Sequence, residues 1–407
     1  MTEEQVKNGL HSLAMEFGAD QVSAAIQAVK NFSVEIPSWI FGPFGGGRFG
    51  EYMPPGAARN IQEKLDDAAV VHKLTGATKN VAMHVLWDFS QDGYLGSYAL
   101  AKDVHELAGE RNLQIGSISP TYFLRGSHRN SYAADEKATT ERYIEQTVLA
   151  GRIARDFGVG LVTLWFPDGS NYPGQLDLQR NYLNMKNNLV ATRKQIPDDV
   201  WLLIEYKVFE PGTYSTTIPD WGTAYALANA MGDNTGVLID LGHHFHSANI
   251  EQIVARLVAE DMRCGFHFNT RYAADDDHAV EPTPEMTRIF YELVSGNVIV
   301  NKKKEKNWAY MIDQCSGREN RLHAIIHSVD TLQHCLARAM LVDVKTLQKW
   351  QDKDEIILAN RCFNDALLYA DVRPIVATAR LEHLLPIDPV AAFVESGYQA
   401  KIEQERI

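Results

Sequence analysis

No two of the four cysteines stand close enough in sequence to act as a pair. Cys264, Cys315, Cys335 and Cys362 form no CxxC motif, which excludes a zinc ribbon and a thiol–disulfide redox centre. Free thiols in a reducing compartment are the reading that remains. No run of about 18 apolar residues occurs, so no membrane-spanning helix is expected. The opening "MTEEQVKNGL" lacks a basic n-region and an apolar h-region, and the chain is expected to remain in the cytoplasm. Positive charge is also in deficit, with 39 Lys and Arg against 52 Asp and Glu, a net charge of −13. A nucleic-acid or anionic-membrane face needs clustered cations, and only "NKKKEK" (301–306) is basic, so neither partner is expected. The glycine-rich "GPFGGGRFGEYMPPG" (42–56) has no acidic residue placed to close a dinucleotide-binding βαβ unit, so no nucleotide cofactor is expected. Internal repeats and low-complexity segments are missing as well.

What is present is a regular alternation. Eight short β-rich runs appear, at 34–42, 80–88, 114–123, 161–169, 201–210, 236–244, 264–271 and 308–315. The gaps between them are long enough for crossover helices. Several gaps repeat apolar residues at helical spacing. "RNIQEKLDDAAVVHKLTG" stops at Gly76, and "NIEQIVARLVAED" opens on Asn249 as a cap. Eight strands each followed by a helix predict an α/β fold, a (β/α)8 TIM barrel. Residues 1–33 read as an N-terminal helical segment, 34–335 as the barrel, and 336–407 as a C-terminal helical extension that suits an oligomer contact. The glycine-rich loop follows the first strand, on the face where barrel active sites lie.

Polar residues gather at the strand ends of that face. Strand five ends with Glu205 and Lys207 in "IEYK", two apart and so on one side of the strand. Strand six ends with Asp240, His243 and His244 in "DLGHH". Strand seven carries His267, with Asp275, Asp276 and Asp277 after it, and strand eight carries Asp313 in "MIDQ". Taken singly, each has a plain structural explanation: a core histidine, a solvated acidic loop, a helix cap. Taken together they crowd carboxylates at one barrel mouth, and these cannot all ionise without a counter-charge. One or two divalent cations supply it, and mixed oxygen and nitrogen donors suit manganese or cobalt, with magnesium as an alternative. His84 and Trp87 in "HVLWD", with Trp165 and Asp168 in "LWFPDG", add flat rings and hydrogen-bonding groups suited to a polyhydroxylated ligand.

The run "IEYK…DLGHH…GFHFNTRYAADDD…MIDQ" resembles the L-rhamnose isomerase family, in its shorter bacterial branch with broad aldose specificity, within the xylose-isomerase-like barrels. The resemblance extends from "RNIQEKLDDAAVVHKLTGAT" to "MIDQ" and keeps the order and spacing of the motifs. It implies that Glu205, Asp240, His267 and Asp313 hold one cation. It implies a second on His243, Asp275 and Asp277, with Asp240 bridging and Asp276 turned away. That is two divalent cations per subunit, manganese first, with cobalt, magnesium or zinc as alternatives. Lys207 would hydrogen-bond the sugar near C1. Lys207, Asp313 and His84 are the implied catalytic group, and His84, Trp87, Trp165 and Lys207 the substrate contacts. The implied reaction interconverts an aldose and a ketose, L-rhamnose and L-rhamnulose first, by a hydride shift or through an enediol. A homotetramer is also implied. The segments "SWIFGPFGGGRFGEYMPP", "SPTYFLRGSHRNS" and "QCSGREN" depart from the family pattern. Three other readings stand beside it: a keto-sugar epimerase, which pairs two glutamates around one metal; a metal-dependent endonuclease, opposed by the acidic balance; and a non-catalytic sugar-binding protein.

Overall fold

The computed structural model describes residues 1–42, 53–124, 127–210, 213–272 and 278–406. Eight parallel strands lie side by side in chain order: β1 (Ile36–Pro37), β2 (Asn80–His84), β3 (Gln114–Ser119), β4 (Leu161–Trp165), β5 (Trp201–Glu205), β6 (Thr235–Asp240), β7 (Arg263–Phe268) and β8 (Trp308–Ile312). Glu35 joins the last strand to the first, its N–H donating to Tyr310 O and its carbonyl accepting from Ile312 N. Each strand is followed by a helix, at Ile61–Thr75, Tyr98–Glu110, Lys137–Asp156, Leu178–Arg193, Trp221–Met231, Ile250–Ala259, Pro284–Ser295 and Arg321–Met340. Parallel pairing requires such crossovers. The expected (β/α)8 barrel is therefore what the chain forms. Asn60, Ser97, Asp177, Asp220, Asn249, Thr283 and Asn320 stand at N-caps, and each side chain accepts a backbone N–H of the first turn. These caps fix where loop becomes helix on the face that carries the site.

Strand parity places the functional side chains. Leu161, Leu203, Leu238 and Met311 form a buried cluster inside the barrel. Gly265 belongs to the same inner face: a Cβ there would lie 2.6 Å from Leu203 Cδ1 and 3.0 Å from Leu238 Cδ1. Two residues further along β5, β6, β7 and β8, the inward positions are Glu205, Asp240, His267 and Asp313. The alternate residues of β7, Cys264, Phe266 and Phe268, face outward into the main core, where Phe268 stacks on Phe290 of the following helix. Burial of each such ring contributes about 1.5–3 kcal/mol and holds the parity.

All eight strands end before their sequence runs do, β1, β2 and β8 among them. β1 ends at Pro37, which has no N–H for the ladder, and Ser38–Phe41 turns into a 3-10 helix. β2 ends at His84, and Val85–Asp88 makes one helical turn, with Asp88 accepting from the His84 N–H. β8 ends at Ile312, just before Asp313. A small hairpin, Phe209–Glu210 paired with Tyr214–Ser215, follows β5 where a continuous strand was expected to reach 210. The first two helices, Glu3–Phe17 and Ala19–Asn31, form the expected N-terminal segment. The last barrel helix runs through the 335/336 division to Met340, and the chain continues as further helices. No described helix is long and apolar enough to cross a membrane.

Candidate metal centre

One donor atom from each of Glu205, Asp240, His267 and Asp313 lies within 4.8 Å of every other. Four consecutive strands thus deliver three carboxylates and an imidazole to one point, as expected from the sequence. His267 Nδ1 is the hub, at 3.2 Å from Glu205 Oε1, 3.5 Å from Asp313 Oδ2 and 3.7 Å from Asp240 Oδ2. Asp240 is fully buried. Its Oδ1 accepts from Gly242 N at 2.8 Å and Asn269 Nδ2 at 3.0 Å, whereas its Oδ2 has no hydrogen-bond partner among the described residues. Asp313 Oδ1 accepts from the Trp39 indole N–H at 2.9 Å.

The electrostatics show a cluster short of positive charge. Burial alone would push the His267 imidazole down, but Glu205, Asp313 and Asp240 hold it up at about 10. Burial, with the neighbouring carboxylates, lifts Asp313 to about 6 and raises Asp240 above the usual carboxylate range. Burial opposes ionisation of Glu205 too, yet His267, His243 and Lys207 bring it below its ordinary value. Without a cation, a proton on His267 would balance the carboxylates. A divalent cation on the same atoms would do so better, and three oxygens with one nitrogen, plus an orphaned buried carboxylate oxygen, fit such an ion.

His243 sits on the 3-10 turn Leu241–His243 just beyond β6. Its Nδ1 lies 3.1 Å from the Tyr206 carbonyl and 3.3 Å from Glu205 Oε1. A proton on Nδ1 toward the carbonyl puts the lone pair of the neutral ring on Nε2, the form a cation takes. His244 serves the framework instead: its Nε2 meets the Tyr206 hydroxyl at 2.7 Å, and burial lowers its pKa to about 3. Asp275, Asp276 and Asp277 lie outside the described residues, as does most of the glycine-rich loop.

An aromatic wall runs around the rest of the mouth. Trp39 packs edge-on to His84, with ring centres 5.4 Å apart, and His84 lies 3.8 Å from Trp87. Phe123 bridges Trp87 and Trp165, at 5.7 and 5.4 Å. Lys207 Nζ stands 5.1 Å from the centre of the Trp165 ring and 2.9 Å from Glu210 Oε1. The expected contacts His84, Trp87, Trp165 and Lys207 therefore form one continuous lining, joined to the four-residue cluster through Trp39 and Asp313. Enclosure pushes the His84 pKa down to about 3, and its Nδ1 pairs with the Thr121 hydroxyl at 2.8 Å. Asp168, which the sequence placed at the mouth, has a different duty. It is buried and accepts from Ser131 N and Ala133 N, pinning the loop after β3.

Sequence reasoning passed over Trp39, Thr121, Phe123 and Asn269. Asn269 had a signal, since 265, 267 and 269 share parity along "GFHFN". Trp39 had one in Pro37, which ends the strand and frees the next residues to turn inward.

Comparison with known proteins gives four findings. Residues 75–294 match the model of a family described as the xylose isomerase-like TIM barrel. A "Probable sugar isomerase" of Rhizobium meliloti (strain 1021) is 35% identical over 396 residues, covering 95% of this chain and 88% of its own length. The L-rhamnose isomerase of Rhodopirellula baltica (strain DSM 10527 / NCIMB 13988 / SH1) is 19% identical over 310 residues, covering 68% and 69%. Among solved structures, an L-ribulose 3-epimerase superposes with a TM-score of 0.50 at 12% identity, covering 80% of this chain and 98% of that one, a likeness of fold.

Proposed function

The chain belongs to the xylose isomerase-like TIM barrel family, and from that premise we propose that it is a metal-dependent aldose–ketose isomerase. L-rhamnose to L-rhamnulose is the reaction proposed first. The observation that carries the reading is the donor set Glu205, Asp240, His267 and Asp313 at the C-terminal rim, facing an aromatic wall. The sugar isomerase relative, which matches nearly the whole chain, supports a sugar as substrate. The weaker likeness to an L-rhamnose isomerase supports naming that sugar first.

Aldose–ketose exchange moves one hydrogen from C2 to C1 and one proton from O2 to O1, with no net oxidation. Glu205, Asp240, His267 and Asp313 would hold a divalent cation, which supplies Lewis-acid polarisation of the sugar oxygens when bound. The chain's own groups do the remaining work. Lys207 presents an ammonium that can hydrogen-bond the oxygen on C1 and offset charge that develops there. His84, kept neutral, and the rings of Trp87 and Trp165 hold the sugar and exclude water. A second cation on His243, Asp275 and Asp277 belongs to the same proposal, with manganese first in both sites and cobalt, magnesium or zinc as alternatives. In that second site Asp275 and Asp277 matter and Asp276 does not. A homotetramer with the C-terminal helices at its contacts completes the reading.

The test is a panel of aldoses supplied to metal-free protein with and without manganese, with products identified by NMR. C1/C2 exchange that appears only with the metal supports the proposal. Activity that survives full chelation sinks it. Inversion at a single carbon without C1/C2 exchange replaces it with an epimerase.

A further inference from the structure

Asp240 offers its two oxygens to different partners. Two N–H donors, from Gly242 and Asn269, already occupy Oδ1, while Oδ2 is buried, 3.7 Å from His267 Nδ1, and without a hydrogen-bond partner among the described residues. A carboxylate oxygen has two lone-pair sites, so two donors saturate it. Gly242 donates from the backbone, two residues on, as the Asp240 side chain caps the 3-10 turn. Asn269 donates from a side chain at the next inward position beyond His267, and it is itself 1% exposed. Its amide orientation follows from the contact, because only the nitrogen can donate to a carboxylate. Its own Oδ1 is buried with no partner among the described residues. Among the described residues the Asn269 side chain therefore makes one hydrogen bond, and that bond goes to a residue of the metal cluster.

We propose that Asn269 is a positioning residue that reserves Asp240 Oδ1 for the protein, so that Asp240 gives cations a single oxygen, Oδ2. The proposal rests on the metal-dependent reading above and sharpens it. Without the Asn269 amide, Oδ1 keeps only the Gly242 N–H, and one of its two lone-pair sites opens to a cation.

The test compares the full-length chain with Asn269→Ala and Asn269→Leu, the second keeping close to the native volume. Metal-free proteins are titrated with manganese by calorimetry and with cobalt by visible absorption, which reports the ligand geometry around the ion. Outer-shell partners of metal ligands are worth about 10–100-fold in affinity. The expected result is a cation affinity weakened by about that factor, an altered cobalt spectrum, and a metal-free melting temperature close to the native value. Either variant, if folded, that binds manganese as the native chain does with an unchanged cobalt spectrum overturns the assignment. So does a loss explained wholly by a lower metal-free melting temperature in both variants. A native chain that binds neither ion sinks the metal-dependent reading itself, so the two failures are distinguishable.

Discussion

Trp39 donates its indole N–H to Asp313 Oδ1 at 2.9 Å, so the turn after the first strand holds a carboxylate from the end of the last. Asp313 Oδ2 is thereby turned toward His267, 3.5 Å away. The same indole packs edge-on to His84. Trp39→Phe keeps a ring in the wall and removes the donor together with part of the indole's bulk. Cation affinity and kcat/KM are expected to fall together, each by about 10–100-fold, with little change in metal-free stability. Trp39→Ala, which also opens the wall, is expected to raise KM further. Unchanged manganese affinity in Trp39→Phe would show that Asp313 needs no such support.

That contact also shows where the sequence was readable. The eight-strand alternation and the gathering of Glu205, Asp240, His267 and Asp313 at strand ends were legible from local pattern, while their grouping as one ligand set came from the family resemblance. Trp39 and Asp313 lie 274 positions apart, and no local pattern announces that the barrel closes them together. The shortened β1 and β2 were legible only in part. Pro37 signals the end of a ladder, but "HVLWD" has the composition of a strand, and it takes the Asp88 carboxylate, bonded to its own chain and to Ser38, to fold it into a turn. Asp168 was placed correctly in the chain and wrongly in duty. Its partners Ser131 and Ala133 come from a different loop.

Cation binding should release protons. His267 holds its proton up to about pH 10 in the metal-free protein, and a cation needs the neutral ring. Because that pKa is raised, the proton's contribution to stability is full below 6.5 and is lost as pH climbs through about 10. A cation takes over the role. With one proton displaced, apparent manganese affinity should rise about tenfold per pH unit between roughly 7 and 9. Asp313, lifted to about 6, keeps a second proton in more acidic solution, and the slope should steepen below that pH. Calorimetry in buffers of different ionisation enthalpy counts the protons. A pH-independent affinity contradicts the assignment of His267 as a ligand.

Lys64 and Asp88 form a buried ion pair of 2.8 Å behind the wall, where Asp88 also accepts from Ser38 Oγ and the His84 N–H. The two side chains are 10% and 0% exposed. Lys64→Met strands the Asp88 carboxylate in a place with no counter-charge, and a loss of about 3–5 kcal/mol is expected by denaturant melting. Lys64→Met with Asp88→Asn keeps an acceptor for His84 N and removes the stranded charge, so it should recover more than half of that loss. A double variant no more stable than the single one would mean that the cost comes from packing of the lysine stem.

Lys207 separates binding from chemistry. It is buried, ion-paired with Glu210, and set beside the Trp165 ring two residues past Glu205. If its ammonium offsets charge on the C1 oxygen as hydrogen moves between C1 and C2, the benefit is larger in the transition state than in the bound sugar. Lys207→Met should then lower kcat by about 10²–10³-fold, the range for one lost charge-stabilising donor, with a smaller change in KM. Manganese stoichiometry should be retained, because Lys207 holds no cation. Lys207→Arg should rescue poorly, since a planar guanidinium cannot occupy the place of a compact ammonium between Trp165 and Glu210. The opposite split, KM raised with kcat unchanged, would assign Lys207 to uniform sugar binding.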